Sequence, residues 1–310
     1  MLRQAAFAGH HPLLKGNLHT HTTRSDGKVT PEEVIRTYYS TGYDFLALTD
    51  HRLYNYTNFA KDCALTILPG MEMDRGIEGR PGTHCFHTVS LGPEKENGNG
   101  FDQDQVFTSG KVKDQWEFQS VLDTLHENGN ITLYCHPQWS GTPAREFENL
   151  QGNFAMEIWN SGCALENDMD TNAAYWDELL MQGKRIYGVA VDDCHKLNQL
   201  CLGWVMVHAS NTIKGILSAL QSGAYYSSCG PEIHDFYIDG NTAVLECSPC
   251  DHILFIYGGS PNKLFRNADS QITKAVFQVP DHYTYLRAGV MDSAGRRAWT
   301  NPIFIDEKGK

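Results

Sequence analysis

No apolar run in this chain approaches the ~18 residues that a membrane helix needs, so a membrane-spanning protein is not expected. Basic charge is also short. Against 37 Asp and Glu there are 25 Lys and Arg, a formal charge of -12, which removes the footprint of a general nucleic-acid-backbone binder. A small anionic substrate held by metal ions remains compatible. Residues 1–11 carry only a short Ala/Phe patch and no signal-peptide core. Nine cysteines make an odd set without the spacing of a disulfide framework, which suits a reducing cytoplasm. Cys247 and Cys250 form an isolated C-x-x-C in a β-like stretch and read as half-buried thiols rather than a redox or zinc site. Long low-complexity tracts are missing as well.

What is present is an ordinary globular composition. The 310 residues are 41% hydrophobic and 20% charged, enough for a sizeable core in one large domain or two smaller ones. From residue 16 to 228, strand-like and helix-like segments alternate. Gly16–Thr22, Phe45–Thr49, Leu65–Glu72, His87–Leu91, Ile131–Cys135, Phe154–Trp159, Gly188–Val191 and Gly203–His208 read as strands. Thr30-Pro31-Glu32-Glu33 is a helix start, with Gly42 its stop. Further helices are expected over Gln115–Glu127, Asp168–Met181 and Asn211–Gln221. This alternation predicts an α/β fold with a mainly parallel sheet, and its length favours a closed or nearly closed barrel.

The pattern changes after Ser228. Short strands at Ala243–Glu246, Ile253–Tyr257, Ala275–Val279, Tyr283–Met291 and Ala298–Ile305, parted by turns such as Gly258–Asn262, predict a small all-β sandwich. The expected domains are 1–229 and 230–310. The connection Gly92–Asp114 is Gly-, Asn- and acid-rich and longer than usual; a lid and a mobile insertion are equally consistent with it.

Chemistry concentrates at strand ends. His19 and His21, at i and i+2 of an extended segment, project to one side and can share a cation. Asp26 lies just beyond them, and His51, Glu72, His136, Asp193 and His195 each follow an apolar run, the edge that carries the chemistry in α/β barrels. His87 begins its run, so a local reversal of direction is required; it is preferred over His84, which does not abut the strand. A single histidine at a strand end is usually structural, but six histidines and three carboxylates at corresponding edges point jointly to a metal centre. Asp50 and Asp192 read as caps or supporting groups. His10, His11, His126, His208, His234, His252 and His282 lack this context.

The segments Asn17-Leu18-His19-Thr20-His21, Ser25-Asp26-Gly27, Leu48-Thr49-Asp50-His51, Pro69-Gly70-Met71-Glu72, Cys135-His136-Pro137 and Asp193-Cys194-His195 resemble, in order, the motifs of the PHP (polymerase and histidinol phosphatase) superfamily over residues 15–228. More loosely, the C-terminal part is similar to the extra domain of the CehA/McbA-like branch. The resemblance implies a distorted (β/α)7 TIM-like barrel with two to three divalent ions. His19, His21, Glu72 and Asp193 would hold the first; Glu72, His87 and His136 the second; Asp26, His51 and His195 the third. Asp26 stands where many relatives have histidine.

Three divalent ions and three ligand carboxylates leave a site of about +3, which favours an oxyanion and above all a phosphate monoester. The expected chemistry is hydrolysis by a metal-bridged hydroxide, with Zn, Mn or Fe all suited to mixed imidazole and carboxylate ligands. Arg24, Arg52 and Lys196 are candidate phosphate contacts and Trp139 a candidate pocket wall. A small phosphorylated molecule or nucleotide is the expected substrate, not a long nucleic acid. Carboxylic or carbamate ester hydrolysis at the same site, and a non-catalytic metal-stabilised binding protein, are the competing readings.

Overall fold

The computed structural model describes all residues except 1–2, 8–10, 81–83, 96–98, 171, 259–261, 281–282 and 306–310. His10, His282, the middle of the 258–262 turn and part of the 92–114 connection lie outside the described residues.

Strands β1 (Gln4–Ala5) and β2 (Leu13–Asn17) precede helix α1 (Pro31–Ser40). Next come β3 (Phe45–Ala47), β4 (Thr66–Leu68), β5 (Gly70–Ile77), β6 (Cys85–Leu91), β7 (Lys111–Val112) and α2 (Gln115–Glu127). They are followed by β8 (Ile131–Tyr134), β9 (Asn153–Asn160), α3 (Ser161–Asn167), α4 (Asn172–Met181), β10 (Tyr187–Val191), β11 (Trp204–His208), α5 (Ile213–Ser222) and β12 (Tyr225–Ser228). Helix α1 shows why the local sequence suffices. The Thr30 hydroxyl accepts the Glu33 N–H at 3.3 Å, Pro31 needs no donor at the first position, and Gly42, at φ 80°, turns the chain away. Its apolar stripe, Val34, Ile35 and Tyr38, packs on Leu46, Leu48 and Ile67, and each such buried side chain contributes ~1.5–3 kcal/mol.

Hydrogen bonding sorts these strands, apart from β1, into two sheets. One runs β10-β9-β8-β6-β5-β7; the other contains β12-β11-β2-β3-β4. Leu14, Phe45, Leu68, Val89, Leu133, Val189 and Val205, drawn from both sheets, form one core. The expectation of a (β/α)7 barrel therefore holds at the coarser level of a mixed α/β fold. Among the described residues no ladder joins β4 to β5 or β10 to β11. Pro69, which lacks an N–H, interrupts the Leu65–Glu72 run between β4 and β5. Pairing is also mixed rather than mainly parallel: β2-β3-β4 and β8-β9-β10 are parallel, whereas β6 is antiparallel to both neighbours. That is the reversal the position of His87 required. The helix expected over 168–181 is α4, which starts at Asn172; α3, which was not expected, precedes it and ends at Asp168, whose φ of 57° is left-handed.

After β12 the regular elements among the described residues are all strands: β13 (Ile233–Asp239), β14 (Thr242–Cys250), β15 (His252–Ile256), β16 (Lys263–Arg266), β17 (Ile272–Gln278), β18 (Tyr285–Met291), β19 (Arg297–Thr300) and β20 (Ile303–Phe304). The sheet β1-β13-β14-β17 packs on β16-β15-β18-β19 through Phe236, Leu245, Phe255, Phe277 and Val290. Strand β19 pairs with β12, so the second sheet runs unbroken from the α/β part into the β part. No described helix is long and apolar enough to cross a membrane.

Candidate metal centre

The His19-Thr20-His21 segment lies just past β2, held by a hydrogen bond from the His21 N–H to the Cys194 carbonyl. Asp50, fully buried, accepts the Thr22 N–H at 2.8 Å and the Ser25 hydroxyl at 2.7 Å, which folds the loop to Asp26 over the site. Gly27 is required there, because a Cβ would stand 2.8 Å from the His21 carbonyl. On the other side Asp192 accepts the Tyr38 hydroxyl at 2.6 Å and the N–H groups of Cys201, Leu202 and Gly203. Burial raises it to about 6 against those bonds. Both aspartates therefore hold loops, as the sequence suggests.

All nine candidate ligands converge. His19 Nε2, His21 Nε2, Glu72 Oε2 and Asp193 Oδ1 face one another: His19 stands 3.0 Å from His21, 3.4 Å from Glu72 and 3.3 Å from Asp193. His21 stands 3.2 Å from Glu72 and 3.1 Å from Asp193. Ligands ~2.1 Å from one ion at tetrahedral angles are ~3.4 Å apart. Glu72 turns its other oxygen to His87 at 2.7 Å and His136 at 3.3 Å, while His51 Nδ1 lies 3.1 Å from Oε2. Asp26 Oδ2 is 3.4 Å from His195 and 3.7 Å from His51. Asp193 Oδ1 and His51 Nδ1 are buried without a hydrogen bond, and orphaned acceptors and imidazole nitrogens in one cluster are what a cation would satisfy. The donor set therefore fits a divalent ion.

Charge in the cage follows from this packing. Burial lowers His21, but Asp193 and Glu72 outweigh it and carry it up to about 10. Burial is likewise overcome at His19 by Asp193, Glu72 and Glu157, and at His136 by Glu72. Glu72 goes the other way: burial would raise it, but His87, His19 and His51 hold it well below the usual carboxylate range. The sign for stability follows. The raised histidines stabilise the metal-free fold fully below their unfolded value, about 6.5, and lose that contribution as pH climbs toward about 10. The lowered Glu72 contributes above its unfolded value and loses it in acid. Metal needs neutral imidazole, so affinity rises with pH. Chelator-treated protein should show a melting temperature that falls between pH 6.5 and 10, while the increment from added Zn2+ or Mn2+ grows. A flat curve for the chelated protein would contradict these charge assignments.

Seven of the nine ligands, all but His19 and His21, border a cavity of about 310 Å3 that Trp139, Gly162, Cys163, Glu166, Lys28 and Lys196 also line. Trp139 packs edge-on against His87 and His136. Of the three cations expected beside the motifs, Lys196 reaches the cavity, where it pairs with Glu166. Arg24 is bound to Asn55 and Asp104, and Arg52 to Asp74; neither lines the cavity. Lys28 was missed. Residues 99–114 are pinned to the 52–56 loop, as by the Tyr54 N–H to Gln105 and Phe107 N–H to Arg52 bonds, and line no wall of the cavity. Glu157 was missed too, although a lone acid inside Phe154–Trp159 is a readable signal: a buried charge must have partners. Backbone strain collects here as well, since Arg52, His136 and Asp193 all have positive φ.

Comparison with known proteins adds three findings. Residues 17–164 match the model of the PHP domain. Over 85 residues the chain is 35% identical to the 5'-3' exoribonuclease of Haemophilus influenzae, covering 26% of this chain and 30% of that enzyme's length. Among solved structures it is similar to a two-domain protein of Bacteroides vulgatus described as containing a predicted PHP-like metal-dependent phosphoesterase. That likeness has a TM-score of 0.50 at 14% identity and covers 91% of both chains, which bears on the fold alone. An amidohydrolase of Chromobacterium violaceum, with bound sulfate and no metal, gives a TM-score of 0.42 at 17% identity, covering 59% of this chain and 88% of that one.

Proposed function

We propose that this chain, whose residues 17–164 match the PHP domain, is a metal-dependent phosphoesterase of that family acting on a small phosphorylated substrate. One observation carries the reading: four donor atoms from His19, His21, Glu72 and Asp193 stand at the mutual spacing of ligands around a single ion. Glu72 bridges to His87 and His136 as a second set, and Asp26, His51 and His195 form a third. Bound divalent ions would acidify a water molecule and offset charge on the phosphoryl oxygens.

The protein supplies position and selectivity. Lys28 and Lys196 stand where substrate oxyanions enter, and Trp139 closes the wall beside His87 and His136. Bulk water is excluded around the buried His19, His21, Glu72 and Asp193, which strengthens the charges there, whereas Lys196 stays in solvent. Residues 1–229 are assigned to the metal-bearing part and 230–310 to the β part, with β1 crossing over to pair with β13. Nine free cysteines, with the buried Cys247 and Cys250 sulfurs 3.7 Å apart, support a reducing, cytoplasmic compartment.

The test pairs elemental analysis with a substrate panel. Two to three ions per chain are expected, with metal-dependent phosphate release from sugar phosphates, nucleotides, histidinol phosphate or short 5'-phosphorylated oligonucleotides. The last are included for the likeness to the exoribonuclease. His19→Ala should abolish that release. Carboxylic and carbamate esters run alongside, and their outpacing every phosphoester would redirect the assignment. No turnover with Zn, Mn or Fe would refute it.

A further inference from the structure

Glu157 lies outside the cavity wall, fully buried on β9, yet its carboxylate meets three parts of the cage. Oε1 is 2.6 Å from His19 Nδ1. Oε2 accepts the backbone N–H of His136 at 2.9 Å and the Asn160 side-chain nitrogen at 2.8 Å. That same nitrogen donates to Asp193 Oδ2 at 2.9 Å, while Asn160 Oδ1 accepts the Cys163 N–H that starts α3.

The hydrogen-bond directions leave little freedom. Oε2 already takes two N–H donors, so the carboxylate acts as an acceptor, and His19 must offer it the proton on Nδ1. In the neutral imidazole that a metal requires, the His19 Nε2 lone pair then points at His21, Glu72 and Asp193, with no proton in the way. His136 and Asp193, anchored directly and through Asn160, have φ values of 21° and 47°, conformations that each cost ~1–3 kcal/mol and persist only when their surroundings hold them.

Resting on the ligand reading above, we propose that Glu157, acting with Asn160, is the positioning residue of the metal centre. It sets the tautomer of His19 and holds His136 and Asp193 at the angles at which they can share ions. Glu157→Gln isolates this role, because it keeps the shape and changes one acceptor into a donor. If the new NH2 faces His19, Nδ1 must accept and the proton moves to Nε2, into the cage. If it faces the other way, it opposes two N–H donors.

The experiment measures Zn2+ affinity by competition with a chromophoric chelator, and the His19 tautomer by 15N NMR of histidine-labelled, Zn2+-loaded protein. Wild type should bind Zn2+ with His19 protonated on Nδ1. Glu157→Gln should bind 10–100-fold more weakly, with unchanged circular dichroism and an altered His19 signal. Asn160→Ala covers the case in which that variant does not fold: it should weaken binding while leaving the His19 tautomer as in wild type. Equal affinity and tautomer in wild type and Glu157→Gln would overturn the positioning role alone. Absence of Zn2+ binding by wild type would overturn the metal centre and, with it, this role.

Discussion

Glu72→Gln is expected to strip metal from two ligand sets at once and to lower turnover about a thousandfold. Glu72 is 1% exposed and its two oxygens face in different directions, Oε1 to His87 and His136 and Oε2 to His19, His21 and His51. An amide keeps the volume and the backbone bonds from the Glu72 N–H to Thr49 and from the Arg52 N–H to Glu72. It removes the charge and places an NH2 against imidazole nitrogens. A metal ion supplies several kcal/mol of transition-state stabilisation, and ~4 kcal/mol corresponds to about 10^3 in rate. Elemental analysis and kcat on whichever phosphoester the wild type accepts provide the check, with circular dichroism to confirm folding. His195→Ala should cost less, because the Asp26, His51 and His195 set is the most open to solvent, the Asp26 side chain being 54% exposed. Full metal content in Glu72→Gln would show that this carboxylate does not bridge.

The second large effect is on stability and lies far from the cage. Arg287 of β18 is 2% exposed. Its Nε donates to Asp177 of α4 at 2.8 Å, and its guanidinium lies 4.5 Å from the Trp176 ring centroid. The contact ties the C-terminal β layers to the helix that covers β9. Asp177→Ala leaves a guanidinium buried without its counter-charge, which should cost about 3 kcal/mol, seen as a melting temperature lower by roughly 5 °C. Arg287→Met removes the charge and keeps most of the apolar stem, so it should cost much less. Similar losses in the two variants would mean that packing on Trp176, not charge pairing, accounts for the effect.

Much of the site was legible because its chemistry is local to strand ends. His19 and His21 share a side of the chain by spacing alone; His51, His136, Asp193 and His195 follow apolar runs whose ends lie at one rim. The His87 reversal was readable because a ligand at the start of a strand cannot otherwise reach that rim. Glu157 was hidden by the same logic that exposed the others. It sits inside a strand rather than at its end, and its role depends on partners at positions 19, 136 and 160. Arg24 and Arg52 look like phosphate contacts in sequence, but Asp104 and Asp74, brought close only by folding, take them instead.

The sequence by itself determined the alternation of strands and helices, the change to all-β structure near residue 230, and the inventory of imidazoles and carboxylates, because periodicity, capping and ligand chemistry are properties of short segments. Only the tertiary structure decided that the strands divide into three sheets, that β12 and β19 sew the α/β part to the β layers, and which carboxylate meets which histidine. Strand pairing and charge pairing join residues distant along the chain, and their partners are chosen by the packing of the whole molecule.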